Sequence, residues 1–118
     1  MLFMTSFKDL IVWQKSVELS VLIFALTKQI PKEELYGITS QMRRSAVSIP
    51  SNIAEGQRRN NTREYYQFCG VALGSAAELE TQIIIINKVY PTINCDQVMR
   101  LCIEIQKMLT SLVAKLRS

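Results

Sequence analysis

Histidine is absent from this sequence of 118 residues. It is the commonest general base near neutral pH, and it activates serine and cysteine nucleophiles. Its absence also excludes the Glu-x-x-His pairs of di-iron helical bundles. We therefore interpret Glu55, Glu78 and Glu80 as structural carboxylates rather than metal ligands. The sequence predicts a non-catalytic protein with no metal and no cofactor.

Cysteine is scarce, with three residues and no Cys-x-x-Cys pair. Cys95 and Cys102 lie seven positions apart, which on one helix separates their Cα atoms by about 10 Å. A disulfide requires Cα atoms within roughly 7 Å. We predict that all three cysteines are small buried hydrophobic residues.

Long apolar runs are also missing. The longest uncharged stretch, between Glu64 and Glu78, has 13 residues and includes Gln67 and Gly70, whereas a transmembrane helix needs about 20 apolar residues. The N-terminus shows no signal-peptide pattern. An apolar share of 48% with no low-complexity segment argues against disorder. We expect one cytoplasmic domain over residues 1–118 that does not enter a membrane.

The spacing of apolar and capping residues predicts four helices and no strands. The first covers about residues 7–30, with Ser6 and Asp9 as a capping pair, and the second covers 31–59 from Pro31. Asn61 with Glu64 caps the third helix, which ends at Pro91, and Asn94 with Gln97 caps the fourth. This pattern predicts an all-α, antiparallel up-down-up-down four-helix bundle.

Pro50 in the second helix allows two interpretations. Asn52 with Glu55 forms a capping pair, so a new helix would begin after Ile49. Alternatively, one helix continues with a kink at Pro50. The sequence slightly favours the kinked helix.

Apolar residues on two helices exceed what one small bundle can bury. The run Ile83–Ile86 points side chains in every direction around the third helix, and the first helix is apolar nearly all round. Scattered exposed apolar residues would be one explanation. Because both surpluses are contiguous, we predict a homo-oligomer interface. Its predicted residues are Leu19, Leu22, Ile23, Leu26, Ile84 and Ile85. The small residues from Gly70 to Ala77 predict a close approach between helices.

Basic charge is concentrated in one segment of the chain. The formal net charge is +4, and residues 43–63 alone account for it, with five arginines and one acidic residue, Glu55. Arginine donates paired hydrogen bonds that suit phosphate. These five residues are the predicted nucleic-acid contacts: Arg43, Arg44, Arg58, Arg59 and Arg63. Tyr65 and Tyr66 follow as candidate stacking faces. The alternative is a solvated surface whose arginines pair with nearby glutamates.

Two segments of the sequence resemble a known family. Gln41–Gly56 (QMRRSAVSIPSNIAEG) and Gly74–Glu80 (GSAAELE) look like the signatures of the bacterial four-helix-bundle proteins encoded by intervening sequences of 23S rRNA genes. Phe7–Gln14 and Pro31–Gly37 add to the resemblance. It implies a second helix kinked at its proline and a homopentameric ring. The chain is similar also to the accessory variability determinant of diversity-generating retroelements, a pentamer that binds nucleic acid and a reverse transcriptase.

Two functions are therefore expected from the sequence. The first is a homo-oligomer, pentameric by resemblance, that binds RNA or DNA through its arginines. The second is a scaffold that docks a partner enzyme such as a reverse transcriptase, with nucleic-acid binding incidental.

Overall fold

The computed structural model describes residues 6–117 as four helices joined by short connections. The helices are α1 (Ile11–Thr27), α2 (Ser40–Arg58), α3 (Thr62–Val89) and α4 (Asp96–Arg117). Each helix packs against the next, and α4 also packs against α1. The result is a rod of 49 × 20 × 19 Å. This arrangement confirms the predicted four-helix bundle.

The helix ends differ from the prediction in detail. Residues Phe7–Asp9 form a separate 3-10 turn, because Leu10 is extended and interrupts the first helix. The hydroxyl of Ser6 accepts from the N–H of Lys8, not from that of Asp9. Asn61 caps α3 as predicted, accepting from the N–H of Glu64 at 3.0 Å.

The linker between α1 and α2 is irregular, and α2 begins at Ser40 rather than at Pro31. A 3-10 turn at Lys32–Glu34 is followed by a π-helical turn at Leu35–Thr39, within which the backbone of Gly37 is not helical. The hydroxyl of Tyr90 donates to Glu34 at 2.6 Å and fastens the linker to the end of α3. This hydrogen bond, helped by burial and by the charges of Glu34 and Glu33, raises the pKa of Tyr90 to about 12.

Helix α2 continues through Pro50, so no new helix begins after Ile49. Proline has no N–H, which leaves the carbonyl four residues earlier, at Ala46, without its helical donor. The hydroxyl of Ser20 on α1 donates to that carbonyl at 3.0 Å. Asn52 lies inside α2, where its amide donates to the carbonyl of Ser48. A neighbouring helix therefore satisfies the group that the proline frees.

The core contains three residues that we had predicted at a subunit interface. Leu19, Ile23 and Leu26 are buried within the single chain, so they present no surface to another copy. These residues are buried because α1 lies between α2 and α4 and packs a wide apolar face against both. Of the other predicted interface residues, Leu22 is half-buried, and Ile84 and Ile85 are exposed.

Helices α2 and α3 approach closely at Gly56 as well as in the small-residue stretch of α3, where the hydroxyls of Ser48 and Ser75 lie 2.8 Å apart. A Cβ atom at Gly56 would lie 2.7 Å from Cβ of Phe68 and 3.0 Å from Cδ1 of Tyr65. At Gly70 and Gly74, an added Cβ would meet nothing within 4 Å. The predicted close approach is therefore made by Ser75 and Ala76 rather than by the two glycines, and at Ala76 the thiol of Cys102 on α4 donates to the backbone carbonyl at 3.4 Å.

The three cysteines are buried and free, as predicted. Burial raises the pKa of Cys69 and of Cys102 to about 11. Within residues 6–117, no three His, Cys, Asp or Glu side chains come together as a metal site would require.

Within the described chain, one helix, α3, has the length and apolar composition to cross a bilayer. In this structure 39% of its most apolar window is buried. Core helices of globular bundles have the same length and composition, so this single helix is weak evidence for a membrane span.

Candidate nucleic-acid interface

Helix α2 separates the predicted arginines into two groups. Arg43 and Arg44 lie near its start, whereas Arg58 is its last residue and Arg59 follows it. At 1.5 Å per residue, Arg44 and Arg58 are separated by about 21 Å along the helix. Arg63 lies in the first turn of α3, next to the second group. The five residues therefore form two clusters at opposite ends of α2 rather than one patch.

Arg43 is held against α1. Its Nε donates to the hydroxyl of Thr27 at 2.9 Å, and its guanidinium carbon lies 4.9 Å from the ring centre of Phe24. The Thr27 hydroxyl in turn donates to the carbonyl of Ile23 at 2.8 Å. The terminal nitrogens of Arg43 make no hydrogen bond or ion pair within residues 6–117. Arg43 is thus oriented by α1 while its outer donors remain unused.

Arg59 is neutralised by its neighbours. Its guanidinium pairs with Glu55 at 2.9 Å and with Glu64 at 3.5 Å, and it also lies 5.0 Å from the ring centre of Phe68. The interpretation that an arginine of this segment pairs with nearby glutamates is confirmed for Arg59. We therefore assign it a role in the α2–α3 turn rather than in ligand binding.

Arg44, Arg58 and Arg63 are exposed. Across the part of the chain that the structure describes, none of the three makes an ion pair or a hydrogen bond. Their charges are therefore available to a ligand.

The end of the bundle that carries Arg58 and Arg63 also carries three cations that were not predicted from the sequence. They are Lys8, Lys115 and Arg117. We call this end of the bundle the turn end, because it carries the α2–α3 turn. The antiparallel packing brings the Phe7–Asp9 turn and the last turn of α4 to this end. The basic residues there are Lys8, Arg58, Arg59, Arg63, Lys115 and Arg117, against the acidic residues Asp9, Glu55 and Glu64. The antiparallel topology, applied to the charges near both termini, could have found the three additional cations.

Tyr65 and Tyr66 are half-buried, not open stacking faces. The ring of Tyr65 packs beside Gly56 at the α2–α3 contact. Burial, with a smaller contribution from Cys69, raises the pKa of Tyr65 to about 12. The ring of Tyr65 therefore contributes to packing between α2 and α3.

Comparison with known proteins identifies the family. Residues 8–111 match the model of the 23S rRNA-intervening sequence protein family. A similar solved structure is a protein of unknown function from the S23 ribosomal protein family of Bacteroides thetaiotaomicron, with a TM-score of 0.77 and 22% identity. The alignment covers 87% of this chain and 98% of that one, and it supports the fold. Comparison with curated proteins finds no significant match. The chain therefore belongs to the 23S rRNA-intervening sequence protein family.

Proposed function

We propose that this protein is a non-catalytic homo-oligomer that binds RNA or DNA through the turn end of its bundle. The observation that carries the proposal is the pair Arg58 and Arg63, which are exposed on either side of the α2–α3 turn without an acidic partner in the described chain. A pentameric ring is the assembly that the family resemblance implies.

Phosphate contacts suit this arrangement of charge. Each arginine that neutralises a phosphate releases condensed counterions, so affinity rises as the salt concentration falls. One bundle offers only a few such contacts. A ring presents the same turn end once per subunit, and several weak contacts on one strand then reinforce one another.

Two apolar surfaces support self-assembly. The first is a shallow groove between α1 and α2, formed by Val17, Val21, Phe24, Val47 and Pro50, in which Val21 is 64% exposed. The second lies near the C-terminal end of α3, where Ile85 and Val89, one helical turn apart, are exposed. These two surfaces belong to different helices. Contact between unlike surfaces of successive copies is heterologous, and a heterologous contact that closes forms a ring.

Salt-dependent binding tests the nucleic-acid proposal. We expect fluorescence anisotropy with single-stranded RNA and with duplex DNA to show affinity that falls as salt rises. The double variant Arg58→Gln with Arg63→Gln should weaken binding and reduce the salt slope by about 1.4 per engaged subunit on a single strand. Arg59 stays unchanged in this variant because its ion pairs and its Phe68 contact belong to the turn.

Lys88→Gln with Arg100→Gln is the matched control, because it also removes two exposed cations, which lie near the end of α3 and the start of α4, away from the turn end. It should leave the slope within error. Absence of binding at low salt, or an equal loss in both variants, would overturn the proposal.

Complementation tests the ring. Val21→Asp damages the α1–α2 groove and Ile85→Asp damages the α3 surface, so each variant alone should sediment as a monomer. A mixture of the two should form a one-to-one dimer, because each retains the surface that the other lacks. Two identical surfaces facing each other would leave one variant fully assembled and would contradict a heterologous contact. A monomeric wild-type chain would exclude the ring.

The partner-scaffold function is the second candidate, and the uncovered α1–α2 groove favours it. In that case the groove receives an enzyme such as a reverse transcriptase. Val21→Asp would then abolish capture of that enzyme without changing the mass of the free protein, which separates this function from self-assembly.

A further inference from the structure

A cavity lies at the end of the bundle opposite the turn end, where residues 28–39 connect α1 to α2. We call this the linker end. The cavity has a volume of about 380 Å³ and opens between the last turn of α1, the linker and the start of α2. Ile30, Pro31 and Leu35 form its apolar wall. It does not overlap the α2–α3 turn, so a ligand bound here would be distinct from one bound by Arg58 and Arg63.

Three cations and no acidic residue line this cavity. Lys28, Lys32 and Arg43 contribute positive charge. Neither lysine makes an ion pair within the residues described, and the terminal nitrogens of Arg43 are equally unpaired. Of the two carboxylates in the linker, neither Glu33 nor Glu34 lines the cavity, and Glu34 accepts a hydrogen bond from the hydroxyl of Tyr90. The local charge therefore favours an anion.

A hydroxyl that faces the cavity provides a second observation. Thr39 is 2% exposed and lines the cavity, yet its hydroxyl makes no hydrogen bond in the described chain. Its hydroxyl oxygen is not fully enclosed, because Oε1 of Gln82 is the only fully enclosed side-chain polar atom without a partner within the described residues. By contrast, the hydroxyl of Thr27 on the same wall is fully used by Arg43 and the α1 backbone. The Thr39 hydroxyl is therefore available to donate to an anion in the cavity.

We infer that the linker-end cavity binds a phosphate group, held by Arg43, Lys28 and Lys32 and by the hydroxyl of Thr39. Arg43 is oriented for this contact by Thr27 and Phe24. Tyr36, next to Leu35 on the cavity wall, is 95% exposed and offers a stacking face close by. The phosphate belongs either to a nucleic-acid strand or to a free nucleotide or phosphate ion.

Titration of the full-length protein with inorganic phosphate tests the site directly. We expect amide NMR shifts confined to residues 27–43. Thr39→Val, which replaces the hydroxyl with a methyl group of similar size, should weaken binding about 10-fold, as loss of a hydrogen bond to an ion does. The exposed pair Lys28→Gln with Lys32→Gln should weaken it by a similar factor while leaving the core intact.

The matched control is Lys88→Gln with Arg100→Gln, which removes two exposed cations from α3 and α4 without touching the cavity. Binding by this control should change less than about 2-fold, because neither side chain lines the cavity and salt screens charges that make no direct contact. No shift at about 10 mM phosphate, a concentration that nearly saturates a site with a millimolar Kd, would overturn the inference. So would an unchanged affinity in Thr39→Val or an equal loss in the control.

Three ligands distinguish the possible sources of the phosphate. Tighter binding of a 5′-phosphorylated oligoribonucleotide than of its 5′-hydroxyl form would identify a strand end. Equal binding of both forms, displaced by inorganic phosphate, would identify backbone phosphates. Binding of a mononucleotide alone would identify a small ligand. The variant Arg58→Gln with Arg63→Gln should keep phosphate binding at the linker end, so failure of the turn-end proposal can be distinguished.

Discussion

Near each end of α2, an arginine lies over a phenylalanine of a neighbouring helix. The two arginines differ in how much of their charge and how many of their hydrogen-bond donors remain available to a ligand. Arg43 lies over Phe24 of α1 at 4.9 Å, and Arg59 lies over Phe68 of α3 at 5.0 Å. Arg59 also pairs with two carboxylates, whereas Arg43 donates to one neutral hydroxyl.

This difference shows that the residue type and its ring contact do not determine the role of an arginine. The carboxylates within reach decide whether its charge is spent inside the chain. At the turn end, the unpaired neighbours Arg58 and Arg63 carry the available charge, while at the linker end Arg43 itself retains unused donors. The backbone of α2 also meets its two neighbours differently. Gly56 allows close contact with side chains of α3, whereas the carbonyl of Ala46 accepts from the Ser20 hydroxyl of α1.

The largest effect is expected where α2 meets α3. Gly56→Ala should destabilise the fold by about 3 kcal/mol, because the new Cβ would lie 2.7 Å from Cβ of Phe68 and neither backbone can easily shift. Urea denaturation measures the change. Gly70→Ala and Gly74→Ala are the controls, since both positions have open space. Each should stabilise the protein by up to about 1 kcal/mol through helix propensity. Equal effects at all three glycines would contradict close packing at Gly56.

A smaller effect is expected where α2 meets α1. Ser20→Ala should cost about 1–2 kcal/mol, because the carbonyl of Ala46 loses its donor. In a Pro50→Ala background the alanine N–H can serve that carbonyl, so the cost of Ser20→Ala should shrink. A double-mutant cycle measured by thermal unfolding tests this coupling. Additive changes would show that Ser20 and Pro50 are not linked through Ala46.

A still smaller effect separates the two arginines themselves. Arg43→Met and Arg59→Met should each destabilise the protein by about 0.5–1 kcal/mol. The cost of Arg59→Met should fall in 1 M salt, because salt screens its exposed ion pairs with Glu55 and Glu64. The cost of Arg43→Met should not, since its partners are a hydroxyl and a ring. The same salt dependence for both variants would erase the distinction.

The smallest signal is expected from the buried thiols. Because burial raises the pKa of Cys69 and Cys102 to about 11, only about 0.1% of each is thiolate at pH 8 in the folded protein. Iodoacetamide should therefore modify them far more slowly in the folded chain than in urea. A folded pKa above the unfolded value also means that stability declines as the pH rises above about 8.5. Rapid alkylation of folded protein would show that these helix contacts open to water.

Several features of the fold were predictable because they depend on local chemistry. The cap formed by Asn61 and the turn before α3 follow from backbone donors that only nearby side chains can satisfy. The start of α2 was not predictable in this way. Pro31 allows a helix to begin, but the 3-10 and π-helical turns and the backbone of Gly37 delay it to Ser40.

The candidate sites were predictable only in part. The arginine-rich segment and its position beside a turn were visible in the sequence, whereas the neutralisation of Arg59 required the geometry of Glu55 and Glu64. The interface prediction failed at Leu19 and Ile23 for a related reason. An apolar helix surface does not reveal whether its cover comes from the same chain or from another copy.

The amino-acid order alone determined the helical class, the absence of histidine chemistry and the clustering of arginine, since these depend on period, composition and short-range capping. Tertiary packing decided which charges remain available, how the carbonyl freed by Pro50 is satisfied, and that Thr39 lines a cationic cavity. Those outcomes depend on pairs of residues that are distant in sequence, such as Ser20 with Ala46 and Thr27 with Arg43. The distance between such residues is set only when the helices pack.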